Sequence, residues 1–445
     1  MDPRIDSLWE TEVLPTLADY TRIECLSPGF DDHWAERGEI DRAAQLMADW
    51  CAARPVPGLT VGIRRLPGRT PVLVAEVPGP GPTVVIYGHL DKQPPLGQWR
   101  DGLGPFEPVR DGDRLYGRGT ADDGYAVFCA LSALQLVPEP PHTVVLIEAS
   151  EESGSPDLAA HLDELDLDPA LMICLDSGAL SYDRLWLTTS LRGIVVAAVT
   201  VEVLTEGVHS GMAGGAVPSS FRLLRQLLSR LEDETSGRML VPELFGPTPA
   251  DHGPRVALEL PTVPGLVVAD DGLFRRSWEP ALEVTGMDGI PALRDAGNVL
   301  RPSTTAQLSI RVAPSADAAA AGRAVSEALR RPVEGARVTV EVEAVGQGWV
   351  APEPARWLAG ALDEAGHDLF GQAPVAYGEG GSIPFLAMLG QRYPDVQFVA
   401  LGVLGPASNA HGPNEFLHVP TAKRLTGVVA HLLAAARARE DTGAG

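Results

Sequence analysis

Short apolar runs recur along this chain, and three of them end abruptly on a histidine or carboxylate. TVVIYG (83–88) leads into His89-Leu90-Asp91, TVVLIEA (143–149) into Glu151-Glu152, and LMICL (171–175) delivers Asp176. Apolar, β-branched runs of this length are too short for helices and read as strands buried on both faces. Between them, 125–137 is apolar almost all round, as a buried helix must be. The alternation predicts an α/β layer with a largely parallel sheet, and such sheets hold ligands beyond the carboxyl ends of their strands.

The patterning changes near residue 191. A long β-branched strand is predicted over 194–204 and an amphipathic helix over 219–231, followed by an irregular Pro/Gly-rich stretch over 242–303. Strand 306–312, helix 317–329 and strand 337–344 complete an α+β lobe. After 350 the α/β pattern returns with a helix at 354–366, a strand at 397–403 and a closing helix at 421–438. The expected fold class is therefore α/β and two-domain. A mixed, mostly parallel sheet sandwiched by helices is built from 1–190 and 349–445, with an α+β domain inserted at 191–348. The 445 residues exceed what one core usually organises, which fits two domains.

The formal charge of −24 excludes nucleic acid and anionic membrane as natural partners. No stretch of eighteen apolar residues occurs. The four cysteines, Cys25, Cys51, Cys129 and Cys174, form no CxxC pair and read as buried reduced thiols. The first twenty residues are acidic and amphipathic, unlike a secretory leader. The expected location is cytoplasmic.

Five segments carry chemistry. In His89-Leu90-Asp91 both polar side chains point the same way on extended chain, so the imidazole could ligate a metal while the carboxylate orients it. Asp122 follows a glycine-rich turn (YGRGTADDG) before the apolar helix. Helix capping is its ordinary alternative; phosphate binding is disfavoured by two adjacent acids and by the lack of a following Gly-Lys-Ser/Thr. Of Glu151 and Glu152, one could ligate a cation while the other takes a proton from water. Asp176 ends its strand, and His411 lies in a loop after 397–403. Two histidines and three carboxylates without cysteine suit a pair of borderline-hard cations such as Zn²⁺, Mn²⁺ or Co²⁺. No GxSxG nucleophile is present.

Taken in order, GHLD, YGRGTADD, EASEESGS, LDSG, VHSG and AHGPNE resemble the M20 family of metallopeptidases, in particular its dipeptidase branch of cytosolic non-specific (carnosinase-like) enzymes. The likeness runs from about residue 10 to 435. It implies a zinc-peptidase-like catalytic domain, an inserted lid and dimerisation domain, and two divalent ions per subunit, Zn²⁺ foremost. Asp122 would bridge them, with His89 and Asp176 completing one site and Glu152 and His411 the other. Asp91 would orient His89, and Glu151 would act as general base on a bridging water. His209 would reach from the lid into the partner's active site of a homodimer, and Asn298 would also act across the dimer. Arg311 would grip a substrate carboxylate, while Gly381, Ser382 and His411 would contact the substrate. The implied activity is hydrolysis of dipeptides or similar aminoacyl amides with a free carboxylate. An N-acyl-amino-acid deacylase or a carboxypeptidase-like enzyme would share the metal core, and a non-catalytic metal- or peptide-binding protein is the reading from another class. One departure stands out: the family's common DDKG is here DDGY, so Gly124 and Tyr125 replace a lysine and a glycine beside the site.

Overall fold

The structure is a computed structural model that describes residues 2–249, 253–254, 262–269, 271–381 and 384–441. Its chain divides into two compact units: Met1–Thr189 with Ala351–Tyr377 and Met388–Gly445, and Ser190–Val350 with Gly378–Ala387. The segment Gly378–Ala387 groups with the second unit although the chain on either side of it belongs to the first.

In unit 1 the sheet runs Thr60–Arg64, Val72–Val77, Thr143–Glu148, Thr83–His89, Pro169–Cys174, Gln397–Ala400, Trp186–Leu191. Its centre is parallel: Thr83–His89 pairs with Thr143–Glu148 and with Pro169–Cys174, which pairs in turn with Gln397–Ala400. The strands toward either edge are antiparallel. Every residue of Thr143–Glu148 is buried, as a strand covered on both faces requires. The helix Tyr125–Leu136 packs against Val419–Asp441, which also meets Arg356–Phe370. Trp9 in the N-terminal helical segment donates its indole N–H to Thr426 at 3.0 Å, fixing that segment to the last helix. Parallel order brings the ends of Thr83–His89, Thr143–Glu148 and Pro169–Cys174 to one edge, so His89, Glu151, Glu152 and Asp176 emerge together.

Unit 2 is an antiparallel sheet in the order Ala281–Asp288, Ser303–Val312, Gly193–Glu202, Arg337–Gly346. Gly193–Glu202 and Ser303–Val312 alternate strictly between buried and half-buried residues. The period of two turns one face, with Val195, Val199, Leu308 and Ile310, toward the apolar faces of helices Ser220–Leu228 and Ala318–Arg330. The irregular stretch expected over 242–303 contains the helix Gly272–Trp278 and the edge strand Ala281–Asp288. A short ladder pairs Val208–His209 with Val299–Leu300. Among the described residues no helix is long and apolar enough to cross a membrane.

Candidate active site

The buried strand Thr83–His89 ends with His89 fully enclosed. A side chain at Gly88 would come within 2.5 Å of both Asp123 and Ala126, so the strand can approach the Asp122 loop this closely only through glycine. Asp123 accepts the His89 backbone N–H at 3.2 Å. The His89 ring is held by its Nδ1, 3.1 Å from the Asp91 carbonyl oxygen and 3.5 Å from the Asp91 carboxylate. That carboxylate also accepts the backbone N–H groups of Glu151 and Glu152 at 3.2 and 3.1 Å. Asp91 thereby ties the His89 strand to the turn Glu151–Ser153 that follows the neighbouring strand.

The free face of His89 points into an acidic cradle. Its Nε2 lies 3.2 Å from Asp122, 3.8 Å from Asp176 and 4.0 Å from Glu151. His411 Nε2 lies 3.0 Å from the other Asp122 oxygen and 3.2 Å from Glu152, to which Gln93 also donates at 2.8 Å. The Asp122 carboxylate therefore spans the two imidazoles, one oxygen to each. Two three-residue groups have ligand atoms within 4.8 Å of one another: His89, Glu151 and Asp176, and His89, Asp122 and Glu152.

The donor set fits divalent cations. Asp91, Asp122, Asp123, Glu151, Glu152 and Asp176 crowd around two imidazoles, and burial without compensating charge is costly. Burial, with the Asp176 charge next, pushes the Glu151 carboxyl well above its ordinary range; burial and Asp122 push Glu152 up. Burial works against charge on His411, yet hydrogen bonds to Asp122 and Glu152 push its imidazole up to about 11. His89 is raised in the same way, against burial, by Asp122 and Asp91. A site that draws protons this strongly is short of positive charge, and oxygen and nitrogen donors in this mixture suit Zn²⁺, Mn²⁺ or Co²⁺.

Two residues absent from the sequence-based set lock the cradle. Glu415 is fully buried and accepts the backbone N–H groups of Gly119, Ala121 and Asp122 at 3.0 to 3.3 Å. Arg118 pairs with it at 2.6 Å and donates to the Gly412 carbonyl at 2.8 Å. The pair clamps the Asp122 loop onto the His411 loop. Its residues stand inside YGRGTADD and AHGPNE, so their position was visible in the sequence but not their partnership. Gly124 is enforced locally, because a Cβ there would lie 2.2 Å from Tyr20 and 2.5 Å from the Gly119 carbonyl. A buried ammonium is nonetheless close by: Lys92, beside Asp91, donates to the carbonyls of Tyr20, Thr21 and Ile23 and lies 4.0 Å over the Tyr20 ring.

The other expected residues lie in unit 2. His209 pairs with Val299, and Ser210 donates its N–H to the Asn298 carbonyl at 2.8 Å, so His209 and Asn298 are exposed neighbours at this short ladder. Arg311 sits near the far end of Ser303–Val312, opposite Ile194 and Ala281. Gly381 accepts the Arg192 backbone N–H at 3.1 Å. Ser382 lies outside the described residues.

An α/β sheet presenting clustered carboxylates and imidazoles at its strand ends defines a metal-dependent hydrolase. Residues 85–435 match Peptidase family M20/M25/M40, and the chain belongs to that family, as a hydrolytic enzyme of its dipeptidase branch. It is 32% identical over 378 residues to the cysteinylglycine-S-conjugate dipeptidase of Corynebacterium striatum, covering 79% of this chain and 81% of that one. The Cys-Gly metallodipeptidase dug1 of Schizosaccharomyces pombe is 26% identical over 330 residues, 68% of this chain and 69% of that one. In fold, the chain is similar to the dipeptidase Dug1p of Saccharomyces cerevisiae (TM-score 0.77, 22% identity, 98% and 97% covered). Human carnosine dipeptidase 1 is also similar (TM-score 0.76, 22% identity, 97% of each chain).

Proposed function

We propose that this enzyme hydrolyses the amide bond of dipeptides bearing a free C-terminal carboxylate, using two divalent cations. The observation that carries the reading is the Asp122 carboxylate, with one oxygen facing His89 at 3.2 Å and the other facing His411 at 3.0 Å. In this reading His89, Asp122 and Asp176 hold one ion, and Asp122, Glu152 and His411 the other. When bound, such a pair would polarise the scissile carbonyl and make a water acidic enough to attack near neutral pH.

Glu151 takes the proton from the attacking water and delivers it to the leaving amine. Glu151 stands 4.0 Å from His89 in the same cradle as Asp176, within reach of a water held there. Asp91 fixes the angle of His89 and the turn bearing Glu151. Arg311 receives the substrate carboxylate as a two-pronged donor, with Gly381 and Ser382 along the backbone.

His209 stabilises the oxyanion from the neighbouring subunit of a homodimer, with Asn298 beside it. Geometry within unit 2 supports this. His209 and Asn298 adjoin the Ser303 end of the strand whose other end carries Arg311, and eight residues of strand span roughly 27 Å. A dipeptide is far shorter, which favours supply of the two groups by different chains. The exposed Met212, Leu293 and Val299 near this ladder offer apolar surface for a second subunit. Four buried free thiols fit a reducing, cytoplasmic compartment.

The test is a panel of free and N-acylated dipeptides assayed with chelated and with Zn²⁺-, Mn²⁺- or Co²⁺-loaded protein. Metal-dependent cleavage of the free dipeptides is expected. Preference for the N-acylated set would assign a deacylase instead, and chelator-insensitive cleavage would contradict the metal mechanism.

A further inference from the structure

Unit 2 contains a cavity of about 550 Å³ whose charged lining is Arg192, Arg238, Arg275 and Arg276 against Glu279 alone. Asp271 answers Arg275 at 2.9 Å. The other arginines are arranged differently. Arg192 is buried and directs Nε to the Gly380 carbonyl and Nη1 to the Glu279 carbonyl, each at 3.0 Å. The Nε of Arg276 is buried with no hydrogen-bond partner. Both side chains converge at Gly380, where an added Cβ would meet Arg276 Cγ at 2.7 Å and Arg192 Nη2 at 3.3 Å. Burial, then the charges of Arg311 and Arg276, push the Arg192 guanidinium down to about 10. Several cations are thus gathered around one cavity in a chain of net charge −24. The buried Nε of Arg276 has no hydrogen-bond partner, and a carboxylate entering the cavity would satisfy it.

Two residues of the cavity lining are neighbours of the substrate contacts assigned above. Ala281, in its lining, pairs with Arg311 in the sheet, and the Arg192 N–H holds the Gly381 carbonyl. We propose that this pocket receives an acidic side chain on the C-terminal residue of the substrate, making Xaa-Glu and Xaa-Asp dipeptides the preferred class. The inference rests on the reading that Arg311 and Gly381 meet the substrate. A guanidinium binds a carboxylate by charge-assisted, paired hydrogen bonds and gains much less from an amide of the same shape.

The test compares kcat/KM for Ala-Glu, Ala-Gln and Ala-Leu on the metal-loaded enzyme. Ala-Glu should exceed Ala-Gln at least tenfold. Arg276→Gln, and the exposed charge reversal Arg238→Glu, should each cut that ratio at least fivefold. Equal rates for Ala-Glu and Ala-Gln, or a ratio untouched in both variants, would overturn the proposal. Calorimetric titration of the metal-free protein with Ala-Glu and Ala-Gln reads the same discrimination without turnover. Equal affinities there overturn the pocket assignment even if no dipeptide is cleaved. Tighter Ala-Glu binding that Arg276→Gln abolishes upholds it, so that absent cleavage would count against the hydrolytic reading alone. Inorganic phosphate binding as tightly as Ala-Glu would assign the cavity to free oxyanions and also overturn the proposal.

Discussion

Glu151 and Glu152 are adjacent in sequence, yet their surroundings differ. Glu152 is anchored by Gln93 at 2.8 Å and faces His411 at 3.2 Å, as a ligand would. Glu151 stands 4.0 Å from His89 on the side of Asp176, with its carboxyl raised by burial. Glu151→Gln keeps the shape and removes the base. It should lower kcat by roughly 10²–10⁴-fold while metal content, measured by elemental analysis, stays at the wild-type level. Unchanged turnover would remove Glu151 from the proton path. His89, Asp122, Glu151, Glu152 and Asp176 could be singled out because each follows an apolar run or a glycine-rich turn, whereas His411 stands in a loop with no such mark. Glu415, Arg118 and Asp123 could not. Glu415 bonds backbone N–H groups more than 290 positions away, and no local pattern encodes such a contact.

At the scale of elements, the strand Thr143–Glu148 carries a hidden ionisable group at its last position. Glu148 is buried and accepts hydrogen bonds from Tyr87, Ser155 (2.8 Å) and Ser150 (3.3 Å), the serines flanking the Glu151–Glu152 turn. Burial pushes its carboxyl up to about 7. Because the folded value lies above the unfolded one, the folded state holds more protons between about pH 4.5 and 7, and stability contributed by this group falls as pH rises through that window. The loss amounts to roughly 3 kcal/mol. Denaturant unfolding of chelated protein at pH 5 and 7.5 should show Glu148→Gln losing less stability than wild type over that interval. Identical losses would mean that Glu148 does not titrate there. The central parallel strands were legible because burial on both faces leaves a continuous apolar run. The edge strand Ala281–Asp288 was not: it is largely exposed and its pairing is interrupted between Val284 and Gly286, so neither hydrophobic alternation nor a run marks it. Gly378–Ala387 groups with unit 2 through contacts such as Arg192 to the Gly380 and Gly381 carbonyls, again invisible in a local pattern.

For the whole molecule, the proposed sharing of the active site between two chains is tested by subunit mixing, since His209 lies in the short ladder before Ser303–Val312 and Arg311 near the other end of that strand. Mixing inactive His209→Ala with inactive Glu151→Gln subunits should restore activity, since one site in each mixed dimer then has an intact base and an intact lid histidine. Random exchange predicts recovery of about one quarter of wild-type activity. No recovery, with mixed dimers demonstrated by mass, would place His209 outside the partner's site. The central claim is narrower: the cradle around Asp122 holds two cations, one on the His89 side and one on the His411 side. Titration of metal-free protein with Zn²⁺, read by calorimetry, tests it most directly. Two ions per chain are predicted for wild type and one for His411→Ala, whose remaining ion keeps His89, Asp122 and Asp176. A wild-type protein that binds no ion or only one, or a His411→Ala variant that still binds two with unchanged affinity, would contradict the account.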